Sequence, residues 1–340
     1  MDETEKKKRV LSGNRPTGPC HMGHLFGVLD FWRRLQDKYD CFFFIADYHS
    51  LTTHYDRTDK IQENVREATL DFLAAGLTPE KSTIFLQSDI PEVAELTLLL
   101  AMITPMGLLE RNPTYKAQLQ ELGIETPNLG LFQYPVLQTS DIVIYKADYV
   151  PVGQDQLPHV WISADIAKTF RFKYGDIFPI PQELVGEFPN VPGIDNRKMS
   201  KSYDNAIYIM DDEKTTFDKV KMFYTDPTKI RKDDLGHPNE CPVFFFHKML
   251  AKMLANEAVW LNINEECFLG SRGCVACKKE MADSLNAMLR PIRERRRIYA
   301  ENPDEVQKIL ITGGHRARAE AQDTVRKARK AMGLSEWSRL

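Results

Sequence analysis

Cys41-Phe42-Phe43-Phe44-Ile45-Ala46-Asp47 is an unbroken apolar run that ends on a carboxylate. A strand with one face in water alternates apolar and polar residues. This run does not alternate, so it reads as a strand covered on both faces, as in a parallel sheet. Parallel neighbours need crossover connections, usually helices, and the flanking sequence supplies them. Val10-Leu11 reads as the end of a short buried strand, and Leu25, Val28, Leu29, Trp32 and Leu35 recur at helical spacing. Lys60 to Ala75 carries Ile61, Val65, Ala68, Phe72 and Leu73 on one helical side, with Gly76 where that helix should stop. Ser82-Thr83-Ile84-Phe85-Leu86 is another buried strand. This alternation predicts an α/β domain on a parallel sheet.

Between about residues 90 and 135 the alternation breaks. Pro91 to Met106 reads as a strongly apolar helix, and Gly107 to Gly130 is polar with prolines and glycines. We read the stretch as a helical insertion, its apolar helix meeting either a second subunit or the main domain. The pattern resumes with Tyr134 to Ile144, a strand at Tyr149-Val150-Pro151-Val152, a turn at Gly153-Gln154-Asp155-Gln156, and a helix from Val160 to Tyr174. From about Asp211 strand signals fade. Helical patterns cover Met281 to Tyr299, Pro303 to Ile311 and His315 to Met332, with Gly313-Gly314 expected to break the last two apart. The chain of 340 residues is long enough for two domains. The expected division is an α/β domain over 1–210 and an all-helical domain over 211–340.

Two stretches carry chemistry. Gly13 to Pro19 is a loop by its glycines and prolines, and His21-Met22-Gly23-His24 follows at the first turn of a helix. Free amides and the positive end of the dipole favour an anion there. Lys198-Met199-Ser200-Lys201-Ser202 lies in a second loop. Neither the Gly-x4-Gly-Lys-Ser/Thr loop nor Gly-x-Gly-x-x-Gly after a strand is present. Taken singly, the first stretch is more often a helix start with surface histidines and the second a solvated loop. Together, each in a loop of an α/β pattern, they suit displacement at a phosphate. Such a transition state spreads negative charge over oxygens and needs positioned donors and cations more than a protein nucleophile. His21 and His24 can donate from ring nitrogens, Lys198 and Lys201 can hold a leaving pyrophosphate, and Ser200 and Ser202 can add hydroxyl donors.

His21-Met22-Gly23-His24 and Lys198-Met199-Ser200-Lys201-Ser202 resemble the two signatures of class I aminoacyl-tRNA synthetases, with Met22 at a usual isoleucine. Ser12-Gly13-Asn14-Arg15-Pro16-Thr17-Gly18, the Tyr134–Asp141 stretch and Pro151-Val152-Gly153-Gln154-Asp155-Gln156 are similar to the bacterial tryptophanyl members in particular. The resemblance implies a Rossmann-like catalytic domain carrying a helical insertion, then an all-helical tRNA anticodon-binding domain. It implies activation of L-tryptophan with ATP and Mg²⁺, and transfer to the 3′ end of tRNA(Trp), by a homodimer. Arg15, Pro16, Thr17, Gly23 and His24 would line the ATP site with Lys198, Met199, Ser200, Lys201 and Ser202. His21, His24, Lys198 and Lys201 would carry catalysis. Gly153, Asp155 and Gln156 match positions at the ribose, and Gln154 stands where the family usually has glutamate. Asp141 matches the acceptor of the indole N–H, Tyr134 and Gln138 positions near the ammonium, and His49 a polar position at the pocket edge. The neighbouring tyrosyl enzymes share a Tyr-x3-Gln-x2-Asp string. The Asn14–Gly18 loop, the Pro151–Gln156 turn and the cysteine pattern favour tryptophan. Two further classes stay open beside these, a non-catalytic RNA-binding paralogue and a small-molecule nucleotidyltransferase.

Cys241, Cys267, Cys274 and Cys277 are spaced C-x25-C-x6-C-x2-C, with Gly270 and Gly273 between them. This is metal-ligand spacing, and it does not separate a tetrathiolate zinc from a [4Fe–4S] cluster. A subset of bacterial tryptophanyl-tRNA synthetases has a similar pattern that holds a [4Fe–4S] cluster, which the resemblance therefore implies here. The formal net charge is −3, so RNA contact must come from local basic groups. Candidates are Lys278, Lys279, Arg290, Arg293 and Arg295–Arg297, then Arg316, Arg318, Arg326, Lys327, Arg329 and Lys330. No apolar run is long enough to cross a bilayer, and the charged first nine residues lead into no signal core. The expectation is a cytoplasmic protein.

Overall fold

The computed structural model describes residues 7–186, 190–254 and 256–334. β1 (Arg9–Asn14) is followed by α1 (Met22–His24), a π-helical turn (Leu25–Leu29) and α2 (Asp30–Leu35). Next come β2 (Asp40–Ile45), α3 (Asp47–His54), α4 (Ile61–Ala74) and β3 (Ser82–Leu86). The insertion holds α5 (Glu92–Ala101), α6 (Met106–Glu110) and α7 (Pro113–Leu122), and α8 (Leu129–Ile144) leads back to β4 (Tyr149–Val152), α9 (Leu157–Tyr174) and β5 (Gln182–Val185). The remainder is helical: α10 (Glu213–Lys221), α11 (Pro242–Met253), α12 (Glu257–Phe268), α13 (Cys274–Ala300) and α14 (Pro303–Ala331).

All five strands are parallel, in the order β3-β2-β1-β4-β5. The phenylalanines of β2 show why the sequence does not alternate. Phe43 stacks on Trp32 at 4.7 Å, on a face that also holds Phe72 of α4. Phe42 and Phe44 point the other way, into a cluster with Phe85, Tyr145 and residues of α5, α8, α9 and α14. Apolar groups are therefore needed on both sides of the pleat. Arg9 ties the amino ends of this layer together. Its guanidinium lies 4.7 Å from the Phe42 ring centroid and donates to Tyr145 O at 2.7 Å, Glu320 at 3.0 Å and Asp40 at 3.0 Å. Strand β5, Gln182-Glu183-Leu184-Val185, is four residues long and mostly exposed, as an edge strand permits, so it shows no buried apolar run in the sequence.

The chain divides into two compact units, one of Met1–Gly18, Val28–Pro189 and Tyr299–Leu340, the other of Pro19–Gly27 and Asn190–Ile298. The expected boundary near residue 210 falls inside the second unit, and the last helix belongs to the first. Gly313-Gly314 does not break the chain: α14 runs through it. Both glycines are buried, and α14 packs on β3 and α5. A Cβ on Gly313 would fall inside contact distance of the Ile84 carbonyl oxygen. These glycines permit close helix–strand packing instead of a turn, a use that adjacent glycines in a sequence do not announce. Among the described residues no helix is long and apolar enough to cross a membrane.

The two glycines make a paired test. Gly313→Ala should destabilise the fold by about 1–3 kcal/mol through overpacking against β3. The nearest atom to a Cβ on Gly314 is 3.9 Å away, so Gly314→Ala should stabilise the helix by about 1 kcal/mol. Urea unfolding of the two variants checks both signs.

Candidate active site

In the first unit the carboxyl ends of the strands deliver polar groups to one place, as parallel sheets do. Beyond β2, Asp47 Oδ1 accepts from Tyr48 N at 3.1 Å and from Ser88 N at 3.0 Å, joining the exits of β2 and β3. His49 follows on α3, and its Nε2 lies 2.9 Å from Asp141 Oδ2. Gln87, just past β3, donates its amide to both Asp141 oxygens at 2.9 and 2.8 Å. Asp141 is 1% exposed and sits in the last turns of α8. Burial pushes its carboxyl up, while the bonds from His49 and Gln87 pull it down. Tyr134, two turns earlier on α8, has its hydroxyl 2.7 Å from His159 Nε2, and His159 Nδ1 is 2.9 Å from Gln156 Oε1. Asn112 Nδ2 donates to the same hydroxyl at 3.4 Å. Burial pushes the Tyr134 phenol up to about 12. Gln138, one turn before Asp141, is half-buried. Arg15, Pro16 and Thr17 follow β1, and Gly153 to Gln156 follow β4 as a 3-10 turn. The Asp155 side chain lies outside the described residues.

The second unit holds both signature stretches. His21 caps α1, its Nδ1 accepting from Gly23 N at 3.1 Å, and His24 Nδ1 accepts from His21 N at 3.2 Å. An imidazole that accepts on Nδ1 carries its neutral-form proton on Nε2. Both rings are therefore Nε2–H donors, with centroids 4.0 Å apart. Burial, with the charges of Lys201 and Lys198 adding to it, lowers the His21 pKa to about 4. His24 is lowered by burial, by His21 and by the same two lysines. The lysine loop is thus close enough for its charge to be felt at both rings. Cys20 O accepts from Ile209 N at 3.0 Å, and Met22 N donates to Ile207 O at 2.9 Å, so the histidine stretch is stitched to the chain just after the lysine loop. Asn205 shapes that loop. It accepts from Ser200 N at 2.8 Å and donates to Lys198 O at 3.2 Å and Asp195 at 2.7 Å. Gly193 leaves room for it, since a Cβ there would overlap the Asn205 amide. Met199 is buried, while Ser200 Oγ accepts from Ser202 N at 3.3 Å. Two cations beside two neutral ring donors are the kinds of group that a polyphosphate would need.

The model for tRNA synthetases class I (W and Y) matches residues 3–290. The chain belongs to that family. A tryptophan–tRNA ligase of Thermotoga maritima is 43% identical across 96% of this chain and 99% of its own length. One from Aquifex aeolicus is 40% identical across 96% and 100%. The crystal structure of a Campylobacter jejuni tryptophanyl-tRNA synthetase with ADP and tryptophan is similar at a TM-score of 0.84 and 36% identity, covering 96% of this chain and 100% of that one.

Around the cysteines of this synthetase, Cys241, Cys267, Cys274 and Cys277 line one cavity with Lys229, Arg272 and Lys278. Cys241 precedes α11, Cys267 lies on α12, and Cys274 and Cys277 open α13. Among the described residues no group of three or more His, Cys, Asp or Glu forms a ready metal site. Burial pushes Cys277 up to about 11, and Arg272 opposes that shift. Many of the basic residues expected at RNA pair with carboxylates at the protein surface. Arg290 donates to Glu213, Arg316 to Asp40, Arg318 to Glu92, Arg326 and Lys327 to Asp323, and Arg329 to Glu95.

Gln87, Asn112, His159 and Asn205 were not singled out from sequence. Gln87, Asn112 and His159 act through a partner on another element and Asn205 through groups of its own loop, and no local pattern marks either. The depressed His21 pKa sets a pH dependence. The unfolded ring, near 6.5, takes up a proton that the folded ring refuses until about 4. Its stabilising contribution is present above pH 6.5 and is lost as pH falls from there toward 4, by on the order of 3 kcal/mol in full. Urea unfolding from pH 7 to pH 4 should show this loss reduced in His21→Gln.

Proposed function

We propose that this class I synthetase is a tryptophan–tRNA ligase. It joins the tryptophan carboxylate to the α-phosphate of ATP, releases pyrophosphate, and transfers the aminoacyl group to the 3′ end of tRNA(Trp). The observation that carries the chemistry is the pairing of neutral His21 and His24 with the Lys198 and Lys201 charges in one unit. The ring Nε2–H groups stabilise oxygens of the triphosphate, with Mg²⁺ on the phosphates, and the two lysines hold the departing pyrophosphate. No protein nucleophile is needed; catalysis is positioning and charge stabilisation. Met199, buried, anchors the lysine loop, and Ser200 and Ser202 add hydroxyls to it. Arg15, Pro16, Thr17, Gly23 and Gly153 to Gln156 serve the nucleotide, with Gly153, Asp155 and Gln156 at its ribose.

The amino acid is chosen at Asp141. An indole N–H can satisfy a buried acceptor, and a phenylalanine or a smaller apolar side chain leaves it unpaired, a stronger filter than shape. Tyr134 and Gln138 face the ammonium end, and His49 favours the ionised form of the carboxylate against its burial. Exposed Leu98, Met102 and Met106 along α5 and beyond support a homodimer contact.

The four-cysteine cavity supports a [4Fe–4S] cluster, with zinc as the alternative. The fit rests on the donor set. Four thiols and the cations Arg272, Lys229 and Lys278 line one wall, and Arg272 Nε is buried without a hydrogen-bond partner among the described residues. Bound there, the group would crosslink the starts of α11 and α13 to α12 and brace a tRNA-binding surface.

Pyrophosphate exchange with each of the twenty amino acids tests the assignment. Tryptophan should drive exchange, and exchange with tyrosine alone would transfer the chain to the neighbouring specificity. The same anaerobic preparation should be brown and absorb near 400 nm; a colourless, zinc-loaded sample would rule out iron–sulfur.

A further inference from the structure

Gln87 is 1% exposed and follows directly on β3. Its amide nitrogen lies 2.9 and 2.8 Å from the two Asp141 oxygens, so one N–H is shared between both sides of the carboxylate. Its Oε1 is fully buried and has no hydrogen-bond partner among the described residues. The reverse amide orientation would set that oxygen against the carboxylate, so the hydrogen bonds fix the assignment. A carboxylate has about four acceptor sites. Among the described residues, Asp141 Oδ2 uses two, for Gln87 and His49. Oδ1 uses one, for Gln87. The residues around Asp141 therefore leave an acceptor site open on Oδ1.

We propose that Gln87 is a positioning and specificity-determining residue of the amino-acid pocket: it holds Asp141 as an acceptor with one open site on Oδ1, and its own Oε1 adds a second open acceptor, so that the pocket demands an aromatic side chain bearing an N–H donor. The inference rests on Asp141 being the indole acceptor. The physical reason is that a buried carboxylate with too few donors takes up a proton or rotates. A protonated carboxyl can itself donate, and then it no longer rejects a ring that lacks N–H. Gln87 blocks both escapes by bridging the two oxygens. His49 reaches only one oxygen and cannot fix the plane of the carboxylate alone.

The test uses an analogue of nearly the same shape, 3-(3-benzothienyl)alanine, in which sulfur replaces the indole N–H. The ratio of kcat/KM for tryptophan to kcat/KM for the analogue is measured by pyrophosphate exchange in the wild type and in Gln87→Met. Met keeps the volume and removes both the donor and the acceptor. The ratio should fall at least tenfold. A Gln87 that merely supports the fold would lower both substrates in proportion and leave the ratio unchanged, and that result overturns the proposal. If Gln87→Met does not fold, Gln87→Asn carries the same test, since an amide shortened by one methylene cannot span both oxygens. A wild type that does not prefer tryptophan over the analogue removes the role of Asp141 itself, which is a different failure from an unchanged ratio.

Discussion

Asp141 is a carboxylate with almost no access to water, and such a group persists in a fold only if donors are brought to it. Its donors come from two other segments. His49 arrives on the helix after β2, and Gln87 arrives on the turn after β3. The register of these two strands, with Ile45 opposite Leu86, sets the two exits side by side. Asp47 then locks them by accepting from Ser88 N. Helix α8 has to cover that end of the sheet for the three groups to meet, and its packing on α3, α5 and α9 holds it there. The apolar phenylalanines of β2 thus have a polar consequence: the strand they bury delivers Asp47 and His49 to a place where both side chains are also buried.

The second unit solves a different problem. His21 and His24 stay neutral beside the charges of Lys198 and Lys201. Burial does this by disfavouring the charged ring, and the lysines reinforce it. The backbone amides of Gly23 and His21 complete the arrangement by donating to Nδ1 of each ring. A Cβ on Gly23 would sit 2.8 Å from the His21 ring, so the glycine of that motif is needed for the fold of the cap.

Local signals in the chain were legible where one element decides the outcome. The parallel sheet followed from Cys41–Asp47, and the stop of α4 from Gly76, whose φ of +98° fits its place. The helical C-terminal part was expected, and so was the family, from two short motifs. Tertiary uses of residues were not legible. Gly313-Gly314 looks like a break and is a contact surface for β3. Gln87 and Asn205 look like ordinary loop amides, and their partners lie 54 residues away and across a loop. The basic stretch of α14 looks like an RNA surface and spends much of its charge on carboxylates of the sheet unit. In each case the sequence names the chemical group and the fold decides its partner.

The account turns on Asp141 being retained for a ligand at some cost to the fold. Its carboxyl is raised by burial, so the ionised form weakens folding at pH values above its folded pKa, and removing the charge relieves that. The direct measurement is Asp141→Asn at neutral pH, with tryptophan-dependent pyrophosphate exchange and urea unfolding recorded on the same preparation. The account predicts a loss of at least a hundredfold in kcat/KM for tryptophan together with unchanged or increased stability. Exchange within threefold of the wild type, or a loss of activity that comes only with a loss of folding, would contradict it.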